Sequence, residues 1–364
     1  MKSKSANVSE WIDRHGGVLK LRPEFVARFY PDLHRIGQPR GRGKFVPERW
    51  IGSSVSAVSP GESKQMGLSM LAGLNVSLRD AVAADPEAMI GPKLLAAHGA
   101  EFRLLVKILD PAEPIVFHLH ATDEQVRKMP GNFEGHRFGK DEAYYFLDAP
   151  KGPCPYTHVG LHRGVDRREL IAAVRKGRDH ALELSPAVYQ EYEEGLFVPA
   201  GVPHRPGTAL TLEIQQPSDV YTLLETHAAG KPMSAEQIHP GFGSLDEAFK
   251  LIDMKVSIEA GTFKANRLSP KVISRRGGEI ATIFPAETCK KFCGDRLRIS
   301  DKASYRKDRP MVLLVWRGAG RINGMPVKSG DEFFVAHSAV KQGLQISQQG
   351  DDVLELFALM PGQG

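Results

Sequence analysis

At 364 residues the chain exceeds one ordinary core and points to two domains. Its formal net charge of +5 is an N-terminal property, since the first 50 residues hold 11 Lys and Arg against 5 Asp and Glu and the rest is close to neutral. The basic run Arg40-Gly-Arg42-Gly-Lys44 lacks the interleaved aromatics of a single-strand nucleic-acid binder, and no apolar run reaches the length of a membrane span.

In chain order, residues 1–44 form a basic N-terminal extension with no signal-peptide core, and a cytoplasmic protein is expected. Its loop at Arg40 to Lys44 is read as solvated. Segments rich in Val, Ile, Phe and Tyr dominate from about Glu101 to Leu224 and from about Lys255 to Leu359, so the fold is expected to be mainly β, in two blocks. Helical inserts are marked by Ser77 three residues before Asp80 and by Asp166 three before Glu169. A further short helix is expected over Ser244 to Ile252, within a breaker-rich connection. The expected boundaries are 45–226 for the first β domain with its inserts, 227–254 for the connection and 255–364 for the second β domain. Cys154, Cys289 and Cys293 are odd in number and lack a second pair for zinc, as befits reduced structural thiols.

The chemistry concentrates in the first block. In Ile115-Val-Phe-His-Leu-His120, an extended backbone sends Val116, His118 and His120 to one face. Buried imidazoles need hydrogen bonds or a shared cation. With Glu142 following and His204 closing the turn Pro199-Ala-Gly-Val-Pro-His204, the four residues read as a metal site. The second block repeats a Gly-rich turn beside an apolar strand, Gly318 to Val335, which suggests an internal duplication. Laying Ala336-x-Ser338-x-x-Lys341 over Pro199-x-Gly201-x-x-His204 puts Lys341 at the histidine. The second block has no His-x-His and its lone His337 is read as a surface or turn residue, so it is expected to bind no metal.

His-x-His, a following Glu and a later Pro-x-Gly-x-x-His are ligand motifs of cupins, β-barrels of the jelly-roll type. More specifically, the chain resembles the class I phosphomannose (mannose-6-phosphate) isomerases. The matching stretches are Trp50-Ile-Gly-Ser, Leu104-Leu-Val-Lys-Ile-Leu-Asp110, Val116-Phe-His-Leu-His-Ala-Thr-Asp-Glu-Gln125, Gly139-Lys-Asp-Glu-Ala-Tyr-Tyr-Phe-Leu147, Phe197-Val-Pro-Ala-Gly-Val-Pro-His204 and Glu213-Ile-Gln-Gln-Pro-Ser-Asp219. The resemblance covers roughly residues 45 to 226 well and the rest loosely. It implies two cupin-type barrels (a bicupin) with metal only in the first, and a metal-dependent interconversion of an aldose and its ketose, such as mannose 6-phosphate and fructose 6-phosphate.

Carried over by motif, the family's zinc ligands fall on His120, Glu142 and His204, while its glutamine ligand is His118 here. Three His and one Glu suit zinc, and also iron, manganese, cobalt or nickel. Lys140 corresponds to the family's active-site lysine, and a dry barrel would shift its ammonium towards neutral for proton transfer. Glu213 and Asp219 match acidic positions of the family and are the other catalytic candidates. Tyr144, sharing parity with Glu142, His158 and His162, sharing a face if their stretch is a strand, and Arg205 are candidates for substrate contact. A serine that the family uses near the substrate phosphate is Val116 here, and its active-site arginine falls on Leu223. Either another cation substitutes, with Arg137, Arg163, Arg205 and Lys231 as candidates, or the substrate carries no phosphate. The partner expected is thus a small sugar or sugar phosphate, with neither nucleic acid nor membrane. The three-His, one-Glu set leaves open an iron-dependent cupin oxygenase, and the lost arginine a non-catalytic sugar-binding cupin.

Overall fold

A computed structural model describes residues 4–39, 44–59, 62–133, 135–228, 230–262 and 266–363. The basic loop at 40–43 lies outside them. The chain is mainly β, and its larger strands assemble into four antiparallel sheets.

The first two sheets face each other. A seven-stranded sheet runs, edge to edge, through Arg267–Leu268, Gly195–Val198, Glu142–Phe146, Thr211–Gln215, Leu105–Leu109, Phe45–Ile51 and Glu24–Arg28. A five-stranded sheet runs through Thr222–Leu223, His118–Leu119, His204–Arg205, Tyr156–Val159 and Ala187–Tyr189. Leu109, Phe146 and Leu196 from the first pack against Val159 and Val188 from the second. The other two sheets hold eight and four strands. Here Leu297, Leu313 and Val315 pack against Ile322, Leu344 and Ile346.

Side-chain alternation explains how the sandwiches join. In the first sheet, Val106, Ile108, Ala143, Tyr145, Leu212 and Ile214 point outward, into a core shared with Phe334, Phe357 and Leu359 of the eight-stranded sheet. Their neighbours in sequence face the inside of the first sandwich. Gly52, which follows strand Phe45–Ile51, takes a φ of +63°, and a Cβ there would come within 2.2 Å of Val312 Cγ2. Only glycine lets the two sheets approach so closely at that point.

The N-terminal segment is not an appendage, as the charge distribution suggested. Strand Val18–Arg22 pairs with Glu332–Val335 in the eight-stranded sheet, while Glu24–Arg28 pairs with Phe45–Ile51 in the seven-stranded one. Pro23 between them separates a strand in each sandwich.

The marked helices form. Ser77 accepts from Asp80 N at 3.0 Å and starts Leu78–Ala84; Asp166 accepts from Glu169 N at 2.8 Å and starts Arg167–Lys176. The helix expected over Ser244 to Ile252 is shorter, Leu245–Ala248 followed by a 3-10 turn Phe249–Leu251. A second helix, Met254–Ala260, then begins where the second β block was expected, because the Asp253 side chain accepts from Val256 N. The β block resumes at Arg267. In the second block, Asn323 and Gly324, with φ of 48° and 83°, close the hairpin between Ala319–Ile322 and Met325–Lys328. His337 is neither in a turn nor fully exposed; it opens the short helix His337–Val340 with its ring against Gly91. The three cysteines are free thiols, and burial pushes Cys289 up to about 11. Among the described residues no helix is long and apolar enough to cross a membrane.

Candidate metal centre and active site

Strand register brings the four ligand candidates together. His204 lies directly opposite His118 in the five-stranded sheet, and His120 follows two residues later on the same face. Glu142 begins a central strand of the facing sheet. The ligand atoms of His118, His120, Glu142 and His204 lie within 4.8 Å of one another, and all four residues are buried. Among the described residues no other such group of three or more occurs.

The hydrogen bonds of the rings fix what they offer. His118 Nδ1 bonds the Val116 carbonyl at 2.6 Å, His120 Nδ1 the Val220 carbonyl at 2.6 Å and His204 Nδ1 the Val202 carbonyl at 2.9 Å. A carbonyl only accepts, so each Nδ1 carries a proton and each Nε2 is the nitrogen left for the shared space. Burial, and then the neighbouring charges, hold His118 well below its ordinary value and bring His120 to about 3, which keeps both neutral. Burial would raise the Glu142 carboxyl, but Lys140 and the histidines keep it well below the usual range, hence ionised. His204 Nε2 stands 2.8 Å from Glu142 Oε1 without the alignment of a hydrogen bond. Three imidazoles and a carboxylate, each ring oriented by a backbone carbonyl, fit a divalent transition metal.

The inner face of the seven-stranded sheet carries a polar row beside this cluster. Trp50, Lys107, Glu213 and Tyr144 lie opposite one another on four consecutive strands. Lys140 Nζ is 2.6 Å from Glu142, 3.1 Å from Glu213 and 3.1 Å from His120 Nε2. Burial pulls the Lys140 ammonium down, but Glu142 and Glu213 more than reverse it and its pKa is raised. The shift towards neutral expected from a dry barrel is therefore overturned by the two carboxylates. Glu213 moves the other way: burial pushes it up to about 8 despite Lys107 and Lys140. Asp219 accepts from Val58 N at 2.7 Å and pairs with Arg28, which outweighs burial and lowers its pKa.

A cavity of about 70 Å³ opens onto the cluster. Of the expected site residues it is lined by His118, His120, Lys140, Tyr144, Glu213 and Asp219, and also by Val116 and Leu223, with Leu223 opposite His118 in register. The Tyr144 hydroxyl is already spent on Glu142. His158 and His162 do not reach the cavity. The strand ends at Val159, its inward residues are Thr157 and Val159, and His158 Nδ1 bonds the Ser185 carbonyl while His162 is exposed. Arg205, beside His204 and hence on the opposite face, pairs with Glu225 at 3.0 Å outside the cavity. Arg137, Arg163 and Lys231 are exposed and line none of it.

Two further cations that line it, Arg28 and Lys107, were missed from sequence. Arg28 Nε and Nη2 bond Glu48 at 2.8 and 3.1 Å, and Nη2 and Nη1 bond Asp219 at 2.9 and 3.1 Å. Lys107 stands 3.7 to 3.8 Å from Glu48, Glu213 and Asp219. Glu48 also takes the Tyr30 hydroxyl at 2.5 Å and the Trp50 indole N–H at 2.7 Å. Lys107 carried a signal, a lysine inside the apolar strand Leu105–Leu109; Arg28 carried none, because its partner Asp219 is 191 residues away.

No protein-family model matches the sequence, and no curated protein does. Solved structures match along nearly the whole chain. A mannose 6-phosphate isomerase from Bacillus subtilis shares 20% identity with a TM-score of 0.68, covering 94% of this chain and 99% of its own. A point mutant of phosphomannose isomerase from Salmonella typhimurium shares 14% identity with a TM-score of 0.68, covering 95% and 100%. The chain resembles the phosphomannose isomerases and has their fold.

Proposed function

We propose that this chain is a metal-dependent aldose-ketose isomerase of the phosphomannose isomerase type, built from two cupin-type sandwiches with a metal held only in the first. The observation that carries this is the convergence of three imidazole Nε2 atoms and Glu142 beside a buried lysine and carboxyl, Lys140 and Glu213, that touch each other at 3.1 Å. A divalent ion bound by His118, His120, Glu142 and His204, zinc being well matched to that set, supplies a Lewis acid for a sugar carbonyl and its neighbouring hydroxyl.

The chain's own groups move the protons. Burial raises Glu213 to about 8, so its ionised form is a stronger base than an ordinary carboxylate; in that form it takes the carbon-bound proton at an Oε atom and returns it to the adjacent carbon. Lys140 keeps its ammonium and offers a proton from Nζ to the oxygen on which charge develops. Asp219 positions Arg28 and Lys107, and Tyr144 orients Glu142. Glu213→Gln should keep the metal while slowing aldose-ketose conversion by roughly 10²- to 10⁴-fold. Undiminished conversion by metal-stripped protein would refute the proposal.

Three histidines and a glutamate also suit iron and oxygen chemistry. Oxygen uptake by the iron-loaded protein would favour that second reading. The buried Lys140–Glu213 pair supports isomerisation, where a proton must leave and rejoin carbon.

A further inference from the structure

Three cationic side chains line the cavity, Arg28, Lys107 and Lys140, and each is no more than 8% exposed. Each is matched by carboxylates close by, Arg28 and Lys140 at hydrogen-bonding distance and Lys107 at 3.7 to 3.8 Å. Arg28 gives its donors to Glu48, Asp219 and the Val58 carbonyl, the last at 3.0 Å. Lys107 sits among three carboxylates and Lys140 between two. The same wall presents three carboxyl groups, Glu48, Glu213 and Asp219, against these three cations, and Glu142 pairs with Lys140 from outside the cavity lining.

A phosphate monoester carries a charge of about −2 at neutral pH and needs uncommitted charged donors. Recruiting Arg28 for it would strip Glu48 and Asp219 of their buried partner. Among the described residues the remaining wall offers no charged substitute: Leu109, Ile115, Val116, Pro206 and Leu223 are apolar. An adjoining open cavity shares Arg28, Phe29 and Tyr221, and among the described residues its further cations are Lys44, already paired with Glu62, and Lys231, which is exposed. A polyol, by contrast, donates hydroxyl hydrogens to carboxylates and rests its C–H faces on apolar side chains.

Resting on the isomerase reading for the ligand being a sugar, we infer that the site takes an uncharged, unphosphorylated aldose or ketose and discriminates against its phosphate ester. Arg28 and Lys107 serve the carboxylates of the wall rather than the substrate.

Metal-loaded protein titrated with mannose, fructose and their 6-phosphates, followed by ligand-observed NMR at matched ionic strength, tests the preference directly. The free sugars should bind at least about 10-fold more tightly than the esters. Tighter binding of either ester, or binding of no sugar at all, overturns the inference. Turnover of the same four compounds is read separately. A free sugar that binds preferentially but is never converted refutes the isomerase reading and leaves the ligand class standing; an ester converted faster than the free sugar does the reverse.

Discussion

Lys291, the residue preceding strand Phe292–Ile299 of the second sandwich, places its Nζ 2.8 Å from Asp141 Oδ2, and Asp141 stands between Lys140 and Glu142. The same ammonium is 2.8 Å from Asp123 and 2.9 Å from Gln216 Oε1. Asp141 in turn accepts from Ala200 N at 2.7 Å, in the turn that leads to His204. A side chain of the second sandwich thus ties together segments that carry the candidate ligands. Lys291→Met should lower metal retention and turnover by roughly 10-fold, the usual scale for groups that orient ligands, with Lys291→Arg recovering part. Unchanged metal content in Lys291→Met, measured by elemental analysis beside an unaltered circular dichroism spectrum, would refute the coupling.

His204→Ala removes one Nε2 and the group 2.8 Å from Glu142 Oε1. Bound metal should fall from about one equivalent to under about a tenth, and chelation should lower the melting temperature of the parent protein but not of the variant. A full metal equivalent in purified His204→Ala would place the ion elsewhere.

Arg28→Met leaves Glu48 and Asp219 facing each other with Lys107 as their remaining cation. Breaking one side of a buried ion-pair network costs about 3–5 kcal/mol. A urea midpoint within error of the parent would show that the network contributes little.

Gly139 lies against the backbone of Ala121 to Asp123, where a Cβ would come within 2.4 Å of the Ala121 carbonyl oxygen. Gly139→Ala must therefore push apart the segments bearing Lys140 and His120, at a cost of about 1–3 kcal/mol. Thermal unfolding and metal content should both fall; a variant with parental values for both would contradict the close approach.

Glu332 is buried against Arg49, and burial, outweighing that cation, raises its carboxyl from 4.5 to about 7. Between those values the folded chain holds a proton that the unfolded chain has released, so stability declines as pH rises through this window and levels off above it. Glu332→Gln should flatten that slope between pH 5 and pH 8 in urea unfolding. Identical slopes in variant and parent would assign the dependence to another group.

The ligand set was legible because its spacing is local. His118 and His120 stand two residues apart, the first on the short strand His118–Leu119, and the Pro-Ala-Gly turn leads directly into the strand of His204. Lys140 and Glu213 came with motifs of similar reach. The residues that balance their charge did not, because Arg28, Glu48 and Lys107 meet only through the pairing of three neighbouring strands. His158 was misplaced for a simpler reason: parity within a strand says which residues share a face, not which face turns inward. The N-terminal segment was misjudged from its charge, since Leu19 and Leu21 are buried while Lys20 and Arg22 supply the positive residues of an alternating strand.

That strand also bears on how the protein folds. Val18 pairs with Val335, so the first half of the strand depends for this neighbour on residues far later in the chain, while its second half pairs with the much nearer Met70–Leu71. Until the longer-range pairing forms, the open edge of Glu332–Val335 is available to other chains. Unpaired strand edges of this kind are where a partly folded chain is most open to aggregation.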